Sequence, residues 1–167
     1  MWPTVTARTF GCRVDIRNLA VSGSVLADLV ARAGATDAKG ILAMYRKPWL
    51  VVWAGANDLA TGRTATQCYN DLVAYCQARQ AAGWNVAVLT ILPRADGIEV
   101  LRAPVNTNIR ANWATFADAV VDVAADSRIG DTGDNVLPYY YDGTHLTASG
   151  EQIIADLVNA MLVSKGI

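Results

Sequence analysis

The chain has 167 residues, of which 53% are hydrophobic and 17% charged, and its formal net charge is -1. This length suits one domain with a buried core, and the composition excludes a disordered chain. The near-neutral charge, without a local cluster of Lys and Arg, argues against nucleic-acid binding. We therefore predict a single α/β domain over residues 1–167 that binds no nucleic acid.

The three cysteines, Cys12, Cys68 and Cys76, are odd in number and lack C-x-x-C spacing. This pattern argues against a disulfide framework and a zinc site, and favours small core residues. No basic region precedes an apolar one at the N-terminus, and no run approaches the roughly 18 apolar residues of a membrane span. As given, the sequence predicts a cytoplasmic protein without membrane contact, metal or organic cofactor.

Short apolar runs alternate with amphipathic stretches, which is the pattern of βαβ units and a mainly parallel sheet. The predicted strands cover residues 14–21, 49–54 and 86–92. A weaker run at 120–124 fits either a fourth strand or the end of a helix.

Residues that are typical of helix caps mark the ends of the predicted helices. Ser24 is a candidate N-cap for a helix that ends before Gly34. Thr64-x-x-Gln67 predicts a capping box for a helix over residues 64–82, which Gly83 ends. The C-terminal helix has the strongest apolar stripe: Ile153, Ile154, Leu157, Val158, Met161 and Leu162.

Three polar segments are predicted to meet at one edge of the sheet, because ligands bind outside the carboxyl ends of parallel strands. Ser22-Gly23-Ser24 follows the first predicted strand, and Gly55-Ala56-Asn57-Asp58 follows the second. Asp142-Gly143-Thr144-His145 precedes the last helix.

His145 is the only histidine, and Asp142 lies three residues before it. Imidazole is the usual general base near neutral pH, and a carboxylate on its second nitrogen fixes the tautomer. Taken alone, the pair equally fits a surface histidine beside a turn residue.

Asn57 and Gly23 are candidate donors to an oxyanion. Acyl transfer needs N–H groups aimed at the oxygen that becomes negative, and an asparagine amide or a glycine backbone N–H supplies one. Each residue also fits a purely structural role, Asn57 in a turn or helix cap and Gly23 in a tight strand-to-helix turn.

These motifs in this order resemble the SGNH (GDSL-like) hydrolase family over nearly the whole chain, from Trp2-Pro3 to the C-terminal helix. The resemblance implies a three-layer α/β/α, flavodoxin-like fold. It also implies an oxyanion hole that includes Gly23 and Asn57, with His145 as the base and Asp142 orienting it.

The family's Gly-Asp-Ser motif, which ends its first strand and carries the nucleophile, does not occur in this sequence. We therefore predict an N-terminally truncated domain without the family's first strand. Ser22 and Ser24 flank Gly23 and are the candidate substitutes for the nucleophile. Ser24 is slightly favoured because it would open a helix, where N–H groups and the dipole favour negative charge. A turn residue at Ser22 and an N-cap at Ser24 are the structural alternatives.

The resemblance implies hydrolysis of small acyl or acetyl esters through a serine acyl-enzyme. The alternative is a non-catalytic relative that uses the pocket for binding or assembly. A nucleotide-binding module ranks lower, because the chain lacks a Gly-rich phosphate loop. Without the first strand, exposed strand edges also predict either pairing of strands 14–21 and 49–54 or self-association between chains.

Overall fold

The structure is a computed structural model that describes residues 16–40, 48–131, 133 and 135–167. Its strands are β1 (Trp49–Val52), β2 (Asn85–Leu89) and β3 (Ala119–Val121). Its helices are α1 (Leu26–Ala31), α2 (Ala33–Gly40), α3 (Ala56–Ala60), α4 (Ala65–Ala81), α5 (Glu99–Asn112) and α6 (Ala148–Ser164). Two short 3-10 turns cover Trp113–Thr115 and Val123–Ala125.

The described strands form a parallel sheet in the order β1-β2-β3. Trp49 pairs with Asn85 at the start of β1, and Ala87 pairs with Ala119 where β3 begins. The parallel sheet and the strands near residues 49, 86 and 120 confirm the predicted α/β class. The weak run at 120–124 divides between β3 and the following 3-10 turn.

The sheet lies between two apolar clusters, which gives three layers. Val86 and Val88 of β2 pack into a cluster with residues of α1, α4 and α5. Leu89 and the β3 residue Val121 join a second cluster with α6. Since successive side chains of a strand point to opposite faces, β2 is buried on both sides.

The long helices α4 and α6 confirm their sequence signals. Thr64 Oγ1 accepts from Gln67 N at 3.2 Å, and Gln67 Oε1 accepts from Thr64 N at 3.0 Å, which forms the predicted capping box. Cys68 and Cys76 are fully buried on one face of α4, and burial raises the pKa of each thiol to about 12. Cys12 lies outside the described residues. In α6 the residues Ile153, Ile154, Ala155 and Val158 are buried.

The first predicted strand is wrong for the part that the structure describes. Residues 16–21 form no strand, and residues 14 and 15 lie outside the described range. Ile16 and Val21 are 49% and 55% exposed, so this apolar run is not a buried strand. Its predicted pairing with the segment at 49–54 is therefore also not found among the described residues, where β1 pairs with β2.

The helix expected after Ser24 also differs from its prediction. α1 begins at Leu26 with Val25 as its N-cap, so Ser24 does not cap it. Gly34 does not end it either, because a break at Arg32 separates α1 from α2, and α2 contains Gly34. α1 has only six residues, so the dipole argument that favoured Ser24 loses its basis.

Helix α5 was not predicted by the sequence analysis, which assigned no element to residues 99–112. Its buried residues, Arg102, Val105, Asn106 and Ile109, follow helical spacing, but two of them are polar. Pro104 lies inside the helix, in its second turn, where it removes one backbone hydrogen bond. No helix of the described part is long and apolar enough to cross a bilayer.

We predict that Leu26→Ala lowers the free energy of unfolding by about 2–5 kcal/mol, because it removes a fully buried side chain from the apolar cluster. Val30→Ala in the same helix is the control, since Val30 is 59% exposed and should cost under about 0.5 kcal/mol. Urea titration followed by circular dichroism measures both. Equal losses in the two variants would contradict the packing of α1 against the core.

Self-association stays a prediction. Among the described strands, β1 pairs along one edge only, with β2. An unpaired edge favours addition of a further strand. We expect light scattering across a dilution series to give a mass above the 17.8 kDa of one chain. A constant mass of one chain would remove the prediction.

Candidate active site

The first residue of the site is Gly55, in the turn that follows the carboxyl end of β1. Its φ is +109°, and an added Cβ would lie 2.8 Å from Ile91 Cδ1 and 3.0 Å from Cys68 Sγ. Both the backbone conformation and the space therefore require glycine. The turn leads directly into α3, which places Asn57 and Asp58 in the first turn of that helix.

Asp58 joins this turn to the loop of Gly23. Both of its carboxylate oxygens accept from Leu26 N, at 3.0 and 3.1 Å, so a buried side chain of α3 caps α1. Burial raises the pKa of Asp58, and the bond from the Leu26 N–H opposes that rise. The cap fixes the start of α1 against α3. It thereby also fixes the end of the preceding glycine loop, residues 22–24.

Asn57 makes a second link to the same loop. Its Nδ2 donates to Ser24 O at 3.0 Å, and its Oδ1 accepts from Arg94 Nη1 at 2.9 Å. Gly23 is exposed at φ +75°, two residues before Val25. The structure thus brings Asn57 into contact with the segment that contains Gly23 and Ser24, the former a predicted oxyanion donor like Asn57 and the latter a predicted nucleophile.

Asp142 and His145 form the predicted hydrogen-bonded pair. Asp142 Oδ2 lies 2.7 Å from His145 Nδ1. The other oxygen, Oδ1, accepts from the backbone N–H groups of Thr144 and His145 at 2.9 and 2.7 Å. Asp142 therefore stabilises the turn with one oxygen and orients the imidazole with the other, so both sequence interpretations apply.

The ring of His145 has a second neighbour. Tyr141 stacks on it, with ring centroids 5.6 Å apart and an interplanar angle of 17°. The His145 side chain is 63% exposed, and the contacts with Asp142 and Tyr141 define the orientation of its ring. This arrangement leaves the imidazole accessible to a ligand.

The loop after β2 connects the two halves of the site. Arg94 contacts Asn57, and the next residue, Ala95, donates its backbone N–H to Gly143 O at 2.9 Å. The loop after β2, which the sequence analysis did not include, therefore joins the segment of Asn57 to the segment of Asp142 and His145.

The two candidate serines lie on the oxyanion side. Ser22 is exposed, and Ser24 Oγ accepts from Arg32 Nη2 at 2.9 Å. No hydrogen bond within the described part joins either serine to His145. The structure therefore groups the serines with Gly23 and Asn57, and it does not bring either one into contact with the base.

Sequence reasoning missed three contributors. It assigned no role to Asp58, which lies within one of the motifs that it used, or to Tyr141, which adjoins another. Arg94 carries no recognisable signal, because it lies 37 residues from Asn57 in the chain. No group of three metal-ligating side chains occurs among the described residues.

We predict that the Asp142 carboxyl titrates at a pKa of about 2, below its ordinary 3.8, because of the His145 backbone N–H first and its ring second. Its contribution to stability is then complete above the ordinary value and is lost as the pH falls toward 2.

Carbon-13 NMR of the side-chain carboxyl measures this titration. In His145→Ala the pKa should rise only in part, because the backbone bond remains. Asp126 is the control, since Arg128 holds its pKa low independently of His145. An Asp142 that titrates at its ordinary value in the unmodified chain would contradict the dyad geometry.

Comparison with solved structures places this site in a known fold. A member of the lipolytic protein G-D-S-L family from Veillonella parvula matches with a TM-score of 0.75 and 16% identity, over 95% of this chain and 85% of that one. A carbohydrate esterase family 3 protein from Talaromyces cellulolyticus matches with a TM-score of 0.65 and 20% identity, over 93% and 80%.

An acetyl-xylooligosaccharide esterase from Geobacillus, a variant of Axe2, matches with a TM-score of 0.58 and 17% identity, over 83% of this chain and 68% of that one. No curated protein sequence matches significantly. The sequence profile of the GDSL-like Lipase/Acylhydrolase family matches residues 1–153. With its parallel sheet, its Asp142–His145 pair and this match over most of its length, the chain belongs to the GDSL-like lipase/acylhydrolase family.

Proposed function

We propose that this protein hydrolyses small carboxylic esters, with acetyl or other short acyl groups, through a serine acyl-enzyme. The observation that carries the proposal is the 2.7 Å contact between Asp142 and an exposed His145, in a site whose loops also hold Asn57. The names of the carbohydrate esterase and the acetyl-xylooligosaccharide esterase among the similar structures support acetyl esters of sugars as substrates.

The proposed reaction uses the two sides of the site in turn. His145 takes the proton of a serine hydroxyl, whose oxygen attacks the ester carbonyl, and then gives that proton to the leaving alcohol. Asp142 stabilises the imidazolium between the two transfers. The carbonyl oxygen becomes negative and accepts from the Gly23 backbone N–H and the Asn57 side-chain N–H. Water, activated by the same base, then releases the acid.

Ser24 and Ser22 stay the candidate nucleophiles of this chain. Arg32 favours Ser24, because a guanidinium that donates to Oγ stabilises negative charge on that oxygen. Either serine must approach His145 for the proton transfer, since no hydrogen bond joins them within the described part.

The first test measures hydrolysis of p-nitrophenyl acetate by the unmodified chain and its variants. His145→Ala and Asp142→Asn should each lower kcat/KM by about 10²- to 10⁴-fold, the usual contribution of a positioned general base and its partner. The loss in rate should far exceed the loss in thermal stability, because both side chains are exposed. Unchanged turnover in Asp142→Asn would show that Asp142 only stabilises the turn.

The nucleophile is identified by labelling with a serine-directed fluorophosphonate and locating the adduct by mass spectrometry. We expect the adduct on Ser24 or Ser22, and loss of both label and activity in the Ser22→Ala/Ser24→Ala double variant. Activity that survives in the double variant without an adduct on either serine would refute both candidates.

A non-catalytic binding role is the second candidate function. The observation that favours it is the lack, among the described residues, of a hydroxyl bonded to His145. In that case the unmodified chain and His145→Ala would give the same background rate on p-nitrophenyl acetate. Calorimetry with an acetylated xylooligosaccharide would then show binding that Asn57→Ala weakens.

A further inference from the structure

The side-chain amide of Asn57 lies between two partners whose chemistry fixes its orientation. Oδ1 faces the guanidinium of Arg94, which can only donate, and Nδ2 faces Ser24 O, which can only accept. The reverse orientation would place two donors together on one side and two oxygens together on the other. The amide therefore has one favourable orientation, in which the second N–H of Nδ2 has no acceptor among the described residues.

Arg94 is itself held firmly. Its side chain is 19% exposed, and Nη2 pairs with Asp96 at 2.6 Å while Nη1 contacts Asn57. The loop that carries it is fixed at its root, because the N–H and C=O of Ile91 both bond to the buried amide of Asn106 at 2.8 Å. A planar guanidinium on an anchored loop loses little further freedom when it binds an acceptor.

The residue after Arg94 connects the same loop to the general base. Ala95 N donates to Gly143 O at 2.9 Å. Gly143 has a φ of +77°, and an added Cβ there would lie 2.8 Å from Ala95 Cβ, so the approach depends on glycine. Residues 94 and 95 therefore contact Asn57 on one side and the turn of Asp142 and His145 on the other.

We propose that Arg94 is a positioning residue of the oxyanion site. Arg94 holds the Asn57 amide so that the second N–H of Nδ2 is available to a negative oxygen. The positive charge of the guanidinium beside Oδ1 polarises the amide and strengthens the hydrogen bond that Nδ2 donates. The catalytic consequence rests on the proposed ester hydrolysis, whereas the orientation of Asn57 can be measured without it.

The kinetic test compares Arg94→Ala and Arg94→Lys with Arg128→Ala, which removes an arginine that is 52% exposed and pairs with Asp126. Loss of one oxyanion donor costs roughly 10²- to 10³-fold in kcat, so misorientation in Arg94→Ala should cost about 10- to 100-fold. KM should change by less than about threefold, because the contact matters most in the transition state. Added guanidinium ion should restore part of the kcat of Arg94→Ala.

Arg94→Lys should retain intermediate activity, because one ammonium cannot contact both Asn57 and Asp96 as the two arms of a guanidinium do. It also serves as the second variant should Arg94→Ala fold poorly. Arg128→Ala should keep the kcat of the unmodified chain and should not respond to guanidinium.

Nitrogen-15 NMR of the Asn57 side-chain NH₂, assigned by its loss in Asn57→Ala, tests the orientation directly. In Arg94→Ala the two proton shifts should converge toward those of an exposed amide and the order parameter should fall, whereas Arg128→Ala leaves both unchanged. An unperturbed Asn57 amide in Arg94→Ala and Arg94→Lys overturns the proposal, whatever the activity.

A perturbed amide with an unchanged kcat overturns the catalytic role of Arg94. A perturbed amide in a chain that hydrolyses no ester supports the positioning by Arg94 and refutes ester hydrolysis instead. The two proposals therefore fail on different measurements.

Discussion

The buried carboxylate of Asp58 is the contact on which the candidate site depends. It crosses from the first turn of α3 to the backbone N–H of Leu26, 32 residues earlier in the chain. Burying a carboxylate is costly unless donors satisfy it, and the uncapped start of a helix supplies such donors. One side chain thereby satisfies the end of α1 and fixes the glycine loop beside Asn57.

The loop after β2 depends on a second buried polar group. Asn106 is 1% exposed and bonds both backbone groups of Ile91, which replaces the ladder contacts that end with β2. Arg102, 2% exposed, adds a bond to Ile91 O and pairs with Glu99 and Asp131. These contacts explain why an amphipathic helix with two buried polar residues packs beside the site. Its polar positions hold the loop that carries Arg94 and Ala95.

The two sides of the site differ in environment. Beside Asn57, Asp58 is buried and its pKa is raised by desolvation. Beside His145, Asp142 is exposed, and its pKa is lowered to about 2 by the His145 backbone N–H and then by its ring. Hydrogen bonds dominate the pKa of a carboxyl that water already solvates, and desolvation dominates the pKa of a buried one. Asp142 thus stays ionised well below neutral pH.

The sequence by itself determined the features that depend on local patterning. The Thr64 capping box follows from contacts between neighbours in the chain, and the apolar stripe of α6 and the strands near residues 49 and 86 are visible as local apolar patterns. The Asp142–His145 pair was also predictable, because its three-residue spacing lets a turn form the hydrogen bond.

Only the tertiary structure decided the rest. The segment at 16–21 has the composition of a strand, but strand formation requires a partner, and the described sheet provides none for it. α1 begins at Leu26 because the carboxylate of Asp58, distant in the chain, caps it there. α5 contains Pro104, but its buried residues pack against the core and hold the loop after β2. The contact of Arg94 with Asn57 joins residues 37 positions apart. Local propensity carries no information about such pairings, because they arise only when the loops of neighbouring parallel strands meet at one edge.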